Sequence, residues 1–236
     1  MQGLKKFLTA EWRSIAMLNY EVDPRALRPH VPRGTELDSW DGVTYASMVG
    51  FLFLKTRVMG VPVPFHQDFE EVNLRFYVRR KAEDGWRRGV VFIKEIVPKF
   101  AVAALARALY HENYISMPMR NRVGTDLTEY GWRPGEEWNF LRVATRGEPG
   151  LPKPESAEEF ITEHYWGYSA QPDGGTVEYR VEHIPWRVWQ VSESRLVCDV
   201  ESLYGAEFAE ALRQPPRSAF LAEGSEVAVY RGARLH

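Results

Sequence analysis

The sequence predicts a mainly β fold, at the margin of the α+β class, in a single domain over residues 1–236. Three observations predict it. Aromatic residues make up 13% of the chain, and strands favour aromatic residues. Asp-Gly pairs, a strong hairpin signal, separate apolar segments at Asp41-Gly42 and Asp84-Gly85. Strand-like segments also follow one another without the regular strand–helix alternation of a parallel α/β fold.

The sequence of the first quarter of the chain indicates a strand, a short helix and a hairpin. Asp23 is a residue type that caps helices and Pro24 suits the first helical position, so a short helix follows the first strand. The Asp41-Gly42 turn separates two further strands. The predicted strands span 11–22, 35–40 and 43–57, and the run 46–54 is apolar on both faces, as in a central strand.

Residues 69–114 carry the most information. Residues 71–78 alternate between apolar and polar side chains, which predicts a strand. The apolar side holds Val72, Leu74, Phe76 and Val78, and the polar side holds Glu71, Asn73, Arg75 and Tyr77. The return strand, 89–97, is apolar on both faces except at Lys94 and Glu95. These two neighbours point to opposite faces, so at least one lies on an otherwise apolar face.

An alanine-rich helix is predicted from Pro98 to about Asn113, a residue type that suits a helix end. Arg107 and His111 are four residues apart and therefore adjacent on its polar side. Further strands are predicted at 120–133, 137–146, 176–182, 187–191, 196–200 and 226–231, with short helices after Ser156 and at 206–213. The proline-rich stretch 147–154 is short, so we interpret it as a surface loop and not as a domain linker. The total is about ten strands and three or four short helices.

Composition excludes several classes of protein. Thirty Lys and Arg against 32 Asp and Glu give a net charge of −2, which argues against a general nucleic-acid binder. The lone Cys198 allows no internal disulfide and indicates a reducing compartment. No apolar run has the length of a signal peptide or a membrane span, so we expect a cytoplasmic protein without membrane contact. The six histidines lack metal-ligand spacing and no nucleotide motif occurs, so we expect neither a metal nor a cofactor.

The polar row of Glu71, Asn73, Arg75 and Tyr77 has two interpretations. It is either the solvated face of a half-buried strand or the lining of a polar cavity inside a curved sheet. The alternation pattern alone favours the solvated face.

Three stretches, in this order and spacing, resemble the uncharacterised YqjF-like family of the acetoacetate decarboxylase-like superfamily: 71–78 (EVNLRFYV), 160–165 (FITEHY) and 183–186 (HIPW). The resemblance covers roughly residues 8–220. It implies a single closed, mainly antiparallel β-barrel with a small-molecule cavity, and it shifts the polar row towards the cavity interpretation.

The resemblance also bears on chemistry. The decarboxylase uses a lysine that forms a Schiff base, with its pKa lowered by a second lysine. Its motif is a proline followed by two lysines, and Pro98-Lys99-Phe100 has only one. A second alignment sets His111, Glu112, Asn113 and Tyr114 at the lysine positions, and we prefer it because it keeps the adjoining strand in register. Either way the lysine pair is broken, which puts decarboxylase activity in doubt.

The resemblance implies roles for several side chains. Glu71 matches the pocket glutamate and would be an acid/base, Arg75 or Arg107 would hold an anion, and His111 would act as a cation near a helix end. Asn73, Tyr77, Asn113 and Tyr114 complete the predicted ligand contacts.

Three functional hypotheses remain open. The first is an enzyme acting on a small carboxylate or carbonyl compound, the second is a non-catalytic binder or sensor of such a ligand, and the third is a structural or partner-binding protein with a filled core. A cavity separates the third hypothesis from the other two, and turnover separates the first from the second. A homo-oligomer is compatible with all three.

Overall fold

The computed structural model describes residues 5–100, 103 and 113–235. Strands dominate these residues, which confirms the mainly β class. The strands are β1 Lys6–Glu21, β2 Glu36–Leu37, β3 Tyr45–Val58, β4 Val61–Pro62, β5 Phe69–Ala82, β6 Gly85–Val97, β7 Tyr114–Ser116, β8 Met119–Val123, β9 Leu127–Trp132, β10 Asn139–Gly150, β11 Trp166–Ala170, β12 Thr176–Glu182, β13 Val188–Val197, β14 Ser218–Tyr230 and β15 Ala233–Leu235.

Short helices connect the strands. Those within the described residues are α1 Pro24–Leu27, a 3-10 turn Arg28–His30, α2 Ala157–Thr162, α3 Val200–Tyr204 and α4 Ala206–Arg213. Of the helix predicted from Pro98 to about Asn113, the described residues are Pro98, Lys99, Phe100, Ala103 and Asn113. Phe100 and Ala103 are helical, whereas Pro98, Lys99 and Asn113 are not. Predicted site residues Arg107 and His111 lie outside the described residues. No helix in the described part of the chain has the length and apolar character needed to cross a membrane.

Seven strands form a hydrogen-bonded ring in the order β6, β5, β3, β1, β14, β12 and β11, and β11 pairs with β6 to complete it. The pairing is antiparallel except between β11 and β6, which run parallel. Of the predicted closed, mainly antiparallel barrel, the structure confirms a ring of seven strands that is antiparallel except at one junction. The chain between β6 and β11 contains β7 to β10 and α2, so no hairpin joins these two strands and a parallel pairing is possible.

A second layer covers the outside of the ring. Strands β13, β10, β9 and β8 continue from β14, and α3 and α4 pack with them. Large buried side chains from this layer, such as Trp132 and Phe208, share one core with Leu18, Met48 and Leu74 of the ring. The ring strands are thus buried on both faces, which explains why the run 46–54 is apolar on both faces apart from Ser47.

Several predicted elements are confirmed and others are wrong. Asp23 caps α1 by accepting from the Arg25 amide, and Ser156 caps α2 by accepting from the Glu159 amide. The strand predicted at 196–200 is wrong at its end, because Asp199 instead caps α3. The strand predicted at 35–40 shrinks to β2, which pairs with β5 and not with β3.

Candidate functional site

A cavity of about 400 Å³ lies inside the ring, and every ring strand contributes side chains to its lining. Its walls are mostly apolar and include many aromatic rings. Trp12 packs edge-on against Phe51 and Phe53, with ring centroids 5.5 and 5.8 Å apart, and Phe53 stacks on Phe69 at 4.8 Å. The ring core is therefore not filled, and an apolar cavity with a few polar groups is a typical small-molecule site.

Strand β5 carries the polar groups of the cavity. Glu71, Asn73 and Arg75 line it, and Glu71 and Asn73 are only 2% and 1% exposed. The solvated-face interpretation of this row is therefore wrong. It failed because the second layer already covers the apolar side of β5, so the polar side turns into the ring.

Glu71 is held by two hydrogen bonds at the cavity wall. Asn73 Nδ2 donates to Glu71 Oε1 over 2.9 Å, and Tyr114 Oη donates to Glu71 Oε2 over 3.0 Å. Burial raises the pKa of Glu71 to about 7, against the lowering effect of the two hydrogen bonds and of the Arg75 charge. A carboxyl group with such a pKa populates both protonation states near neutral pH, as an acid/base requires.

Glu95 is a second buried carboxyl in the lining, at 2% exposure. It lies directly opposite Asn73 in the β5–β6 pairing and beside Tyr114 in the β6–β7 pairing. The sequence had marked it only as half of the Lys94-Glu95 pair on an apolar strand. The lysine points the other way, where its ammonium contacts the Leu203 carbonyl and burial lowers its pKa.

Arg75 is the arginine of the described lining, and it is half-buried. Its guanidinium lies 5.8 Å from the centre of the Tyr77 ring and 3.8 Å from the Met17 sulfur. Within the part of the chain that the structure describes, no carboxylate lies within salt-bridge distance of it. A cation in an apolar cavity without an ion pair attracts an anionic ligand.

Two predicted ligand residues lie outside the lining. The Tyr77 hydroxyl is 2.6 Å from Ser47 Oγ, and Ser47 Oγ donates to Asn19 Oδ1. Tyr77 therefore belongs to a buried hydrogen-bond network at the end of the polar row of β5. Asn113 is exposed, and its amide donates to the Ile93 carbonyl over 2.8 Å. Ile93 is the extra residue of a β-bulge in β6, opposite the step from Leu74 to Arg75 in β5. The hydrogen bond from Asn113 stabilises this bulge.

His164 is a cavity residue that the sequence analysis did not single out. Its side chain is 2% exposed and packs against the Tyr77 ring, with the two ring centroids 4.6 Å apart. The nearest carboxylate oxygen, on Asp38, is 3.7 Å from Nε2, and neither ring nitrogen has a hydrogen-bond partner among the described residues. Burial lowers the pKa of His164 to about 4, which outweighs the opposing effect of Asp38, so the ring is neutral at pH 7.

His183 also lines the cavity, between two aromatic rings. It stacks on Tyr165 at 4.7 Å and on Trp186 at 4.2 Å, and burial lowers its pKa. The two histidines belong to the FITEHY and HIPW stretches that carry the family resemblance. Those stretches were the available signal, but they gave no reason to place either ring in the cavity.

Lysine is absent from the cavity lining. Every lysine of the chain falls within the described residues, and none of them is a lining residue. Lys99, the lysine of the broken motif, is half-buried but lies outside the lining.

Comparisons with known proteins agree with this architecture. A family model, DUF2071, described as an uncharacterized conserved protein, matches residues 9–226. The chain belongs to this family. This DUF2071 protein is 26% identical to the uncharacterized protein YqjF of Bacillus subtilis (strain 168) over 205 residues, which cover 85% of the chain and 82% of YqjF. The resemblance proposed from the sequence is confirmed.

Solved structures share the fold of the DUF2071 chain at low sequence identity. Acetoacetate decarboxylase from Legionella pneumophila matches with a TM-score of 0.70 and 14% identity, over 98% of this chain and 87% of the decarboxylase. The biosynthetic enzyme MppR complexed with pyruvate matches with a TM-score of 0.66 and 12% identity, over 100% and 92%. An acetoacetate decarboxylase-like enzyme from Sphingomonas wittichii RW1 matches at 0.66 and 13%, over 98% and 94%. At these identities the likeness establishes the fold alone.

Proposed function

We propose that the ring acts as a closed barrel around a binding site for a small carboxylate or carbonyl compound, with Arg75 as the anion partner and Glu71 as an acid/base. The observation that carries the proposal is the Arg75 guanidinium in the lining of an apolar cavity, with no carboxylate within salt-bridge distance in the described chain. A half-buried cation that forms no ion pair with the described residues is costly unless a ligand pairs with it. A carboxylate is the ligand group that best matches the planar guanidinium.

The shape of the cavity supports a small ligand. Its volume of about 400 Å³ is at the lower end of the range typical of ligand pockets. The aromatic wall of Trp12, Phe51 and Phe53 would cover the apolar part of such a ligand, and Asn73 and His164 offer hydrogen bonds to its polar part. The fold neighbour MppR is complexed with pyruvate, a small oxo carboxylate, and this supports the same ligand class for the present chain.

Replacing Arg75 with methionine is expected to weaken binding of a small carboxylate by about thirtyfold or more, since losing one partner of a desolvated charge pair costs ~2 kcal/mol or more. Isothermal titration calorimetry with pyruvate and acetoacetate measures the effect. The matched control is Arg79→Met on the same strand, because Arg79 pairs with Glu36 outside the cavity. Equal affinities of wild type and Arg75→Met would remove the anion-partner role.

We further propose that any catalysis here proceeds without a lysine imine. The absence of lysine from the lining supports this, as does the position of Lys94 on the outer face of the ring, against the Leu203 carbonyl. An enzyme and a sensor differ in turnover. The raised pKa of Glu71 favours the enzyme, because a sensor does not need a carboxyl group that exchanges its proton near neutral pH.

Treatment with acetoacetate and borohydride is expected to leave the mass of the intact chain unchanged, because no lysine amine reaches a ligand in the cavity. Mass spectrometry of the chain and its peptides measures this. A stoichiometric adduct on Lys94 or Lys99 that disappears when that lysine becomes alanine would contradict the expectation.

A further inference from the structure

Three neighbouring strands place the two glutamates of the cavity lining at nearby positions on one face of the sheet. Asn73, Glu95 and Tyr114 stand side by side across β5, β6 and β7. The two outer members, Asn73 and Tyr114, both donate a hydrogen bond to the Glu71 carboxylate. Glu95 therefore lies between the two residues whose side chains converge on Glu71, and diagonal neighbours on one sheet face are within reach of each other when their side chains are long.

We propose that Glu71 and Glu95 share one proton and act as the base and the acid of a keto–enol tautomerisation. The substrate is a small oxo carboxylate, and this inference rests on the proposed function. No other carboxyl side chain belongs to the described lining. An ionised carboxylate raises the pKa of a second carboxyl group on the same face of an apolar cavity, so in the proposed pair one group keeps its proton.

The hydrogen bonds indicate which carboxyl group holds the proton. Glu71 accepts from two donors, and donors favour an ionised carboxylate. Asn73 Oδ1 is a buried acceptor without a hydrogen-bond partner among the described residues, and Glu95 is directly opposite Asn73. A protonated Glu95 supplies a donor at that place. Glu71 is then the base and Glu95 the acid.

The step conserves protons and electrons. The Glu71 carboxylate takes a proton from the carbon next to the substrate carbonyl, and the C–H electron pair becomes the C=C bond of the enol. The carbonyl π electrons move to oxygen, which takes the proton of Glu95. One proton enters the pair and one leaves, so no other reactant is needed.

Arg75 sets the class of substrate. It is two residues beyond Asn73 on the same face of β5, about 7 Å along the strand, and both residues line the cavity. A substrate carboxylate on Arg75 therefore puts a carbonyl group and its neighbouring carbon near the pair. The remaining titratable or charged described residues of the lining, which share the cavity with the pair, are Arg75, Tyr114, Tyr179, His66, His164 and His183.

Glu71→Gln tests the pair directly. Removing the ionised carboxyl is expected to move the titration of Glu95 to lower pH by at least about one unit. The titration is followed by NMR of protein with 13C-labelled glutamate carboxyls, in which Glu95→Gln assigns the signal. The control is Glu70→Gln, whose side chain is outside the lining and accepts from Asn121. An unchanged Glu95 titration in Glu71→Gln overturns the pair.

Pyruvate, a small oxo carboxylate with an enolisable methyl group, tests the chemistry. In D2O the wild type is expected to exchange the methyl protons of pyruvate at least tenfold faster than Glu71→Gln or Glu95→Gln, and Glu70→Gln is expected to match the wild type. Calorimetry on the same samples measures binding separately. Binding without faster exchange overturns the tautomerisation, whereas a shifted Glu95 titration in Glu71→Gln without oxo-acid binding overturns the proposed function and leaves the pair in place.

Discussion

As the pH falls from 7 to 4, the His164→Phe variant is expected to lose ~3 kcal/mol less of its free energy of unfolding than the wild type loses. The pKa of His164 falls from 6.5 to about 4 on folding, because the ring is buried. Between these two values the unfolded chain binds a proton that the folded chain does not, so the free energy of unfolding decreases as the pH falls through this window. A phenylalanine ring keeps the contacts with Tyr77 and Phe160 but takes no proton.

Chemical denaturation of both proteins across this pH range measures the effect. Glu71 acts in the opposite direction in the wild type, since its raised pKa gives stability that is present at low pH and lost as the pH rises through about 7. The difference between wild type and His164→Phe cancels this contribution to the extent that the two sites act independently. His30→Phe, beside Glu207 at the surface, is the matched control. Parallel pH profiles for wild type and His164→Phe would show that the buried ring does not control acid stability.

Local sequence patterns predict much of the fold because they report local physics. The alternation at 71–78 fixes which side chains of β5 share a face, and the Asp23 and Ser156 caps mark the starts of two helices. The family resemblance adds the cavity, because no local pattern distinguishes a solvated polar face from a face turned into a ring.

The composition of the site depends on contacts between distant parts of the chain. The second layer, built from β8, β9, β10 and β13, decides that the polar side of β5 faces inwards. Glu95 becomes a site residue through its pairing with Asn73, and His164 becomes one because α2 ends beside Tyr77. Nothing within a window of ten residues contains that information, so the predicted set held Glu71, Asn73 and Arg75 but missed both Glu95 and His164.

The packing of the second layer on the ring depends on a glycine, and a double-mutant cycle is expected to show it. A Cβ atom on Gly50 would lie 2.6 Å from Cδ2 of Tyr130, a side chain that is fully buried and donates from its hydroxyl to the Ser14 carbonyl. Gly50→Ala is expected to cost ~1–3 kcal/mol through this overlap. Tyr130→Ala is expected to cost ~3–5 kcal/mol through the cavity that it leaves.

The double variant is expected to cost little more than Tyr130→Ala alone, because the ring that the new methyl group would meet is gone. The coupling free energy is then ~1–3 kcal/mol, of a sign that makes the double variant more stable than the sum of the single changes predicts. Urea denaturation of the four proteins measures it. Gly150→Ala, where an added Cβ meets nothing within 4 Å, controls for the loss of a strand glycine. Additive costs would mean that β3 and β9 adjust independently. A coupled result means that the second layer approaches the ring closely enough to bury β5 only because residue 50 has no side chain.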